Sequence, residues 1–171
     1  MEERLDEEKH FLELNDFICG ADDPLNTFLS DDAIEYDSKQ YGNTYLIKEK
    51  EYGDIWAFYT IKANGIQVFD SKEKILTAVP VIEIARIAVH HNIQHIGVGR
   101  KVFYDHIMPK VETVAKLIAV KAIIVFVEPD NEVGILFYES LGFVKAAEEV
   151  QKEIAETFNE DCDLYVLELE R

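Results

Sequence analysis

Seven consecutive residues, Gln94, His95, Ile96, Gly97, Val98, Gly99 and Arg100, carry the most legible chemistry in this chain. They follow an apolar run, residues 80–89, and open a helix-compatible run, residues 98–117. A strand, a glycine turn and a helix start together make a socket for a pyrophosphate. The first N–H groups of a helix have no partner within it, and the helix dipole favours an anion there. Glycine has no Cβ, so the backbone at Gly97 and Gly99 can come close to phosphate oxygens. Such a glycine pair also marks ordinary strand-to-helix turns, so the loop needs a second element to carry the argument. His90, His91 and His95 lie in or beside it, and a histidine pair invites a metal. Neighbouring side chains point in different directions, however, and no carboxylate or cysteine completes a ligand set, so no metal site is expected. His95 is read as contributing its backbone. Arg100 and Lys101 either reach the phosphates or form a solvated helix start.

The elements that must position this loop follow from periodicity and turn chemistry. Asp23-Pro24 reads as an N-cap followed by proline at the first helical position. Leu25, Phe28, Leu29, Ala33 and Tyr36 then keep helical spacing to about Lys39. The pattern predicts strands over 44–50, 55–62 and 66–69, with turns at Gly53-Asp54 and Asn64-Gly65. Another strand is predicted over 82–89. A long amphipathic helix is predicted over 98–119, kinked or broken by Pro109. Residues 122–127 suit a strand buried on both faces. Residues 132–140 predict a short helix closed by Gly142 in the left-handed conformation, and 164–169 predict a last strand. The order implies a mixed α/β domain around one sheet, a single domain over residues 1–171.

Two motifs together resemble a known family. Gln94-x-x-Gly97-x-Gly99 matches the acyl-CoA pyrophosphate loop of the GNAT N-acetyltransferases. Asn131, followed by Phe137-Tyr138-Glu139-Ser140-Leu141-Gly142-Phe143, resembles that family's second motif, about forty residues on, as the family's intervening helix and strand require. Arg86-Ile87-Ala88-Val89 looks like its central strand. The match covers residues 80–145. Phe17-Ile18-Cys19-Gly20, Leu25-Asn26-x-Phe28-Leu29 and Ala33 resemble, more weakly, the start of the toxin-like branch.

The resemblance implies the GNAT fold, a mixed and mostly antiparallel sheet flanked by helices, and acetyl-CoA as acyl donor. It implies that Ile87, Ala88 and Val89 offer backbone groups to the pantetheine arm like an added strand. The amides of Gln94, His95, Ile96, Gly97, Val98, Gly99 and Arg100 would hold the pyrophosphate, and Asn131 would bond the pantetheine arm. Tyr138 would protonate the thiolate expelled as an amine is acetylated; on its own, a tyrosine there also reads as a core aromatic. Glu83 resembles the base of histone-type members. An ammonium acceptor has a pKa near 10 and must lose a proton, through water, before attack. An ion pair with a lysine or arginine is the other reading of Glu83.

Composition bounds the remaining questions. At 171 residues with 18 Phe or Tyr, the chain can build a real core. Cys19 and Cys162 fit neither a zinc nor a redox spacing and read as free thiols in a reducing cytoplasm. No run is long enough to span a membrane, and the N-terminus lacks the pattern of a signal peptide. The net charge is −17. Residues 1–40 carry 13 acids against 3 bases, residues 145–171 carry 9 against 3, and the middle is nearly neutral. Such a chain disfavours nucleic acid, whose affinity rests on Lys and Arg, and attracts cations. Acidity for solubility alone is the plainer reading.

Three functions stay open. The first is direct acetyl transfer to a primary amine of a cationic small molecule or peptide; no cysteine near the motifs could carry a covalent acyl group. The second is a toxin acetylating charged tRNA, paired with an antitoxin. The third is an acyl-CoA-binding interaction module without turnover. A homodimer is an assembly common in the family.

Overall fold

The computed structural model describes residues 1–21, 23–70, 75–157 and 161–169. Seven strands form one sheet: β1 (Glu2–Arg4), β2 (Asn43–Lys48), β3 (Ile55–Asp70), β4 (Ile75–Val89), β5 (Ala122–Val127), β6 (Val144–Lys145) and β7 (Asp163–Glu168). Their order is β1-β2-β3-β4-β5-β7-β6. Of the pairings described, β4 with β5 is parallel, and β1–β2, β2–β3, β5–β7 and β6–β7 are antiparallel. This is the mixed, mostly antiparallel sheet expected from the sequence.

Two compact units divide the chain: residues 1–62 with 84–113, and residues 63–83 with 114–171. In the first, α1 (Glu7–His10) and α2 pack against the sheet. Helix α2 has an α segment Pro24–Thr27, a π segment Phe28–Asp32 and an α segment Ala33–Ser38. Asp23 caps it as expected, accepting from the Leu25 N–H at 2.9 Å. Its Phe28, Leu29 and Ala33 bury against Phe17, Leu46, Ile55, Phe58 and Ala88. Helix α3 follows the glycine loop in three segments, Val98–Lys101, a π segment Val102–Ile107, and Met108–Leu117.

The second unit has its own core of Ile66, Val81, Ala122, Ile124 and Leu164. It holds α4 (Glu132–Ser140) and α5 (Glu148–Thr157), the latter laying Val150 on that core. Among the described residues, no helix is long and apolar enough to cross a membrane.

One local expectation is corrected and another is narrowed. Asn64-Gly65 is not a turn: β3 runs without a break from Ile55 to Asp70. The Asn64 side chain instead accepts from the Gly65 N–H at 2.7 Å and donates to Glu83 on β4 at 2.6 Å. Lateral pairing overrides the local turn preference of that dipeptide. Pro109 does not end α3, because the helix continues through it to Leu117. A π turn lies just before it, with Met108 N–H bonding Phe103 O five residues back, and widens the backbone where the proline ring would meet the preceding turn. Strand β4 also begins earlier than expected, at Ile75 rather than 82.

Candidate functional site

In the first unit, the last residues of β4 (84–89), the loop and the first part of α3 (98–113) form one continuous strand–turn–helix. The ladder between β4 and β5 holds Val81↔Ala122, Ile82↔Ile123 and Glu83↔Ile124, and ends there among the described residues. Strand β4 runs on through Ile87 and Ala88 to Val89. No β5 partner is described for these last residues of β4. One acceptor is already engaged: the Gln94 side chain donates to Val89 O at 2.9 Å and to Cys19 O at 2.5 Å. Gln94 is therefore the brace that folds the loop back onto the strand end.

The loop is held from several sides. His91 N–H donates to Ile18 O at 2.8 Å. His90 Nδ1 accepts from Asn92 N–H at 3.3 Å, and its ring packs edge-on against Phe17. Burial, followed by the neighbouring His91, holds the His90 pKa below its usual value. Both histidines thus serve loop geometry. Asn26 clamps the other wall: its Oδ1 accepts from Cys19 N–H at 2.9 Å and from Cys19 Sγ at 3.1 Å, and its Nδ2 donates to Gly20 O at 2.7 Å. Burial and then Asp23 push the Cys19 thiol up to about 12, so it is no nucleophile. This brace accounts for the pattern Phe17-Ile18-Cys19-Gly20 with Leu25-Asn26; sequence alone placed the residues but not the clamp.

Gly97 has φ +87° and His95 φ +61°, both left-handed. A Cβ built on Gly97 would meet nothing within 4 Å, so the space above this backbone is open. The first intrahelical bond of α3 is made by Lys101 N–H to Gly97 O at 3.1 Å, which leaves the N–H groups of Val98 and Gly99 ahead of it. His95, Ile96 and Gly97 are exposed. An open turn with outward amides at a helix start fits a pyrophosphate. Arg100 lies beside it, its guanidinium 5.5 Å from the Tyr104 ring centre.

In the second unit, Asn131 caps α4, its Oδ1 accepting from Gly134 N–H at 2.8 Å. Its Nδ2 makes no bond among the described residues and remains a possible donor. Tyr138 lies one turn before the end of the same helix. Gly142, at φ +95°, closes that helix: Gly142 N–H bonds Glu139 O at 3.0 Å and Phe143 N–H bonds Tyr138 O at 3.1 Å. This is a Schellman cap, and its expected apolar contact is Phe143 on Tyr138, ring centres 5.5 Å apart. The Leu-Gly-Phe sequence thus fixes Tyr138 from both backbone and ring.

The Tyr138 ring is buried, and burial raises its phenol pKa above the usual value. Its hydroxyl makes no hydrogen bond among the described residues, yet none of the buried side-chain oxygens there lacks a partner. Solvent therefore reaches that oxygen at the tip of a buried ring. Glu83 is also in this unit, buried, its carboxylate accepting from Asn64 Nδ2 at 2.6 Å.

Residues 11–143 match the model of the acetyltransferase (GNAT) family. No curated protein matches the chain. Among solved structures, a tyrosine-to-phenylalanine mutant of KacT shares 19% identity at a TM-score of 0.77, covering 98% of this chain and 94% of that one. AtaTR bound with acetyl-CoA shares 21% at 0.72, covering 98% and 92%. AtaT complexed with acetyl-methionyl-tRNAfMet shares 19% at 0.74, covering 98% and 94%.

Proposed function

The chain belongs to the acetyltransferase (GNAT) family, an acyltransferase using acetyl-CoA, and we propose that it moves the acetyl group directly to a primary amine of a cationic small molecule or peptide. The observation that carries this reading is Tyr138: a buried ring, locked by a Schellman cap, with a solvent-reached hydroxyl that no protein group uses. Acetyl-CoA supplies the activated acyl thioester. The N–H groups at Val98 and Gly99, above the open Gly97 turn, would hold its pyrophosphate, with Gln94 to Ile96 and Arg100 completing the loop. Ile87, Ala88 and the Val89 N–H would align its pantetheine arm, and Asn131 Nδ2 would donate to the same arm. Tyr138 Oη keeps its proton through the neutral range and gives it to the departing sulfur. Glu83 takes a proton from the acceptor through water. Cys19 offers no thiolate for a covalent route, since it is clamped and its pKa raised.

The choice of a cationic acceptor rests on charge: −17 overall, with 13 acids against 3 bases in residues 1–40. A second reading, acetylation of charged tRNA with an antitoxin as partner, draws support from similarity to AtaT, one structure of which holds acetyl-methionyl-tRNAfMet. Thiol release from acetyl-CoA, measured over polyamines, aminoglycosides, lysine-rich peptides and charged tRNA, separates them. Turnover on a cationic amine supports the first. Turnover on charged tRNA alone replaces it with the second. Binding of acetyl-CoA without thiol release from any acceptor would leave an acyl-CoA-binding module.

A further inference from the structure

A cleft of about 200 Å³ lies wholly within the first unit, lined by Phe28, Asp32, Glu35, Tyr36, Lys39, Tyr41 and Arg86. Arg86 stands on the face of β4 that also carries Ile84 and Ala88, since side chains alternate along a strand. Its guanidinium lies 3.9 Å from the Phe28 ring centre and 5.2 Å from that of Tyr36. Tyr36 in turn packs edge-on against Phe28 and Tyr41. Both rings thus lie within cation–π reach of the guanidinium, which donates to no residue among those described. An arginine held in this way is pre-organised, and its free fork matches a carboxylate.

The acids of the cleft are not its partners. Glu35 is paired with Lys39 one helical turn away. Asp32 is exposed, makes no capping bond, and lies beyond ion-pair distance of Arg86. The cleft therefore presents one unpaired cation and one unpaired anion across a space the size of a small metabolite. Opposite charges held apart suit a zwitterion. A polyanion would meet Asp32, Glu35 and the acidic first forty residues.

We propose that this cleft anchors the acceptor by an α-amino acid group, the carboxylate on Arg86 and the α-ammonium near Asp32, so that the acceptor is a diamino acid acetylated on its side-chain amine. This rests on the acetyl-transfer reading above. Arg86 is three residues before Val89, about 10 Å along the strand, so the acetylated amine must stand several bonds from the carboxylate. The assignment accommodates the acidic charge of the chain, because a diamino acid is a net cation. It disfavours an aminoacyl ester, whose carboxyl group carries no charge for Arg86 to hold.

Calorimetry on the full chain tests it with lysine and its decarboxylated counterpart, 1,5-diaminopentane. Lysine is expected to bind at least about 10-fold more tightly, as a charge-assisted bidentate pair allows. Arg86→Gln, with its unfolding midpoint checked, should reduce lysine to the affinity of the diamine. Asp32→Asn, at an exposed position that cannot compromise folding, should weaken both ligands and keep the carboxylate preference. Equal binding of the two ligands, a preference that survives Arg86→Gln, or inorganic phosphate bound as tightly as lysine would overturn the site. Thiol release with the same two amines separates this from the parent reading. Turnover on the diamine without a lysine preference sinks the cleft and keeps acetyl transfer. A lysine preference in calorimetry with no thiol release from either amine keeps the cleft and sinks acetyl transfer to such amines.

Discussion

In the first unit the Gly97 turn presents backbone N–H groups from an exposed, left-handed stretch, whereas in the second unit Tyr138 presents one side-chain hydroxyl from a buried ring. The turn depends on φ and on empty space above the backbone, so side chains at His95 and Ile96 matter little. The tyrosine depends on one atom, and three devices hold it: helix α4, the Gly142 cap and the Phe143 ring. Glycine appears in both regions for the same reason, a positive φ. In the turn it leaves the space above the backbone empty. In the cap it fixes a neighbouring side chain.

The sharpest way to break this comparison is Tyr138→Phe, which removes one oxygen and leaves the ring. We expect kcat to fall by about 10²- to 10⁴-fold, with acetyl-CoA affinity unchanged in calorimetry and the unfolding midpoint kept, since the hydroxyl makes no hydrogen bond among the described residues. An unaltered kcat would reduce Tyr138 to a core aromatic.

The two glycines come next. An L-residue in the left-handed region costs about 1–2 kcal/mol, and a Cβ at Gly97 meets no atom within 4 Å while one at Gly142 meets only Leu167 Cδ1 at 3.5 Å. The expense is thus conformational at both sites. Gly97→Ala should appear chiefly as weaker acetyl-CoA binding. Gly142→Ala should lower the unfolding midpoint and kcat together, because the cap positions Tyr138. The reverse assignment of effects would show that the two glycines had been misread.

Asn131 sharpens the comparison further, since cap and ligand donor use different atoms. Asn131→Ala should cost about 1 kcal/mol of stability through the lost N-cap and also raise KM for acetyl-CoA. Asn131→Asp keeps the accepting oxygen but removes the Nδ2 donor. Urea unfolding should therefore show stability restored while KM stays high; KM restored as well would leave Asn131 a cap only.

The smallest effect is on pH dependence. Burial raises the Tyr138 phenol pKa, and burial followed by the bond to Glu2 raises that of Tyr59. A folded-state pKa above the unfolded one means that the native state holds the proton longer. The resulting stability is fully present below about pH 10, the unfolded tyrosine value, and is lost as pH rises beyond it. Unfolding midpoints between pH 9 and 11 should fall less steeply in Tyr138→Phe than in the parent chain. Parallel slopes would mean that the hydroxyl is not desolvated in the folded state.

Local chemistry made much of this legible. Asp23-Pro24, the 122–127 strand, the 132–140 helix and the left-handed Gly142 all depend on neighbours within a few residues, and each is found where the pattern puts it. The failures share a cause. Asn64-Gly65 has strong turn chemistry, yet Asn64 is drawn into β3 and bonds Glu83 across the sheet. Pro109 is a helix breaker locally, but the π turn before it preserves α3. Strand β1 and helix α1 are too short to show a period. Strand β1 is held by its ladder to β2, Glu2↔Ile47 through Arg4↔Tyr45, and His10 of α1 bonds Glu3 of β1 at 2.8 Å.

The amino-acid sequence by itself determined the glycine loop and the helix that carries Tyr138, because each is written in residues within one turn or one loop of each other, and the two motifs together pointed to the family. Only the tertiary structure decided that the Gln94 side chain reaches Cys19 O, that Asn64 holds Glu83, and that Arg86 lies against Phe28 and Tyr36 with no ion-pair partner among the described residues. Those contacts join residues far apart in the chain. Their energies come from ladder register and burial, which no local pattern records.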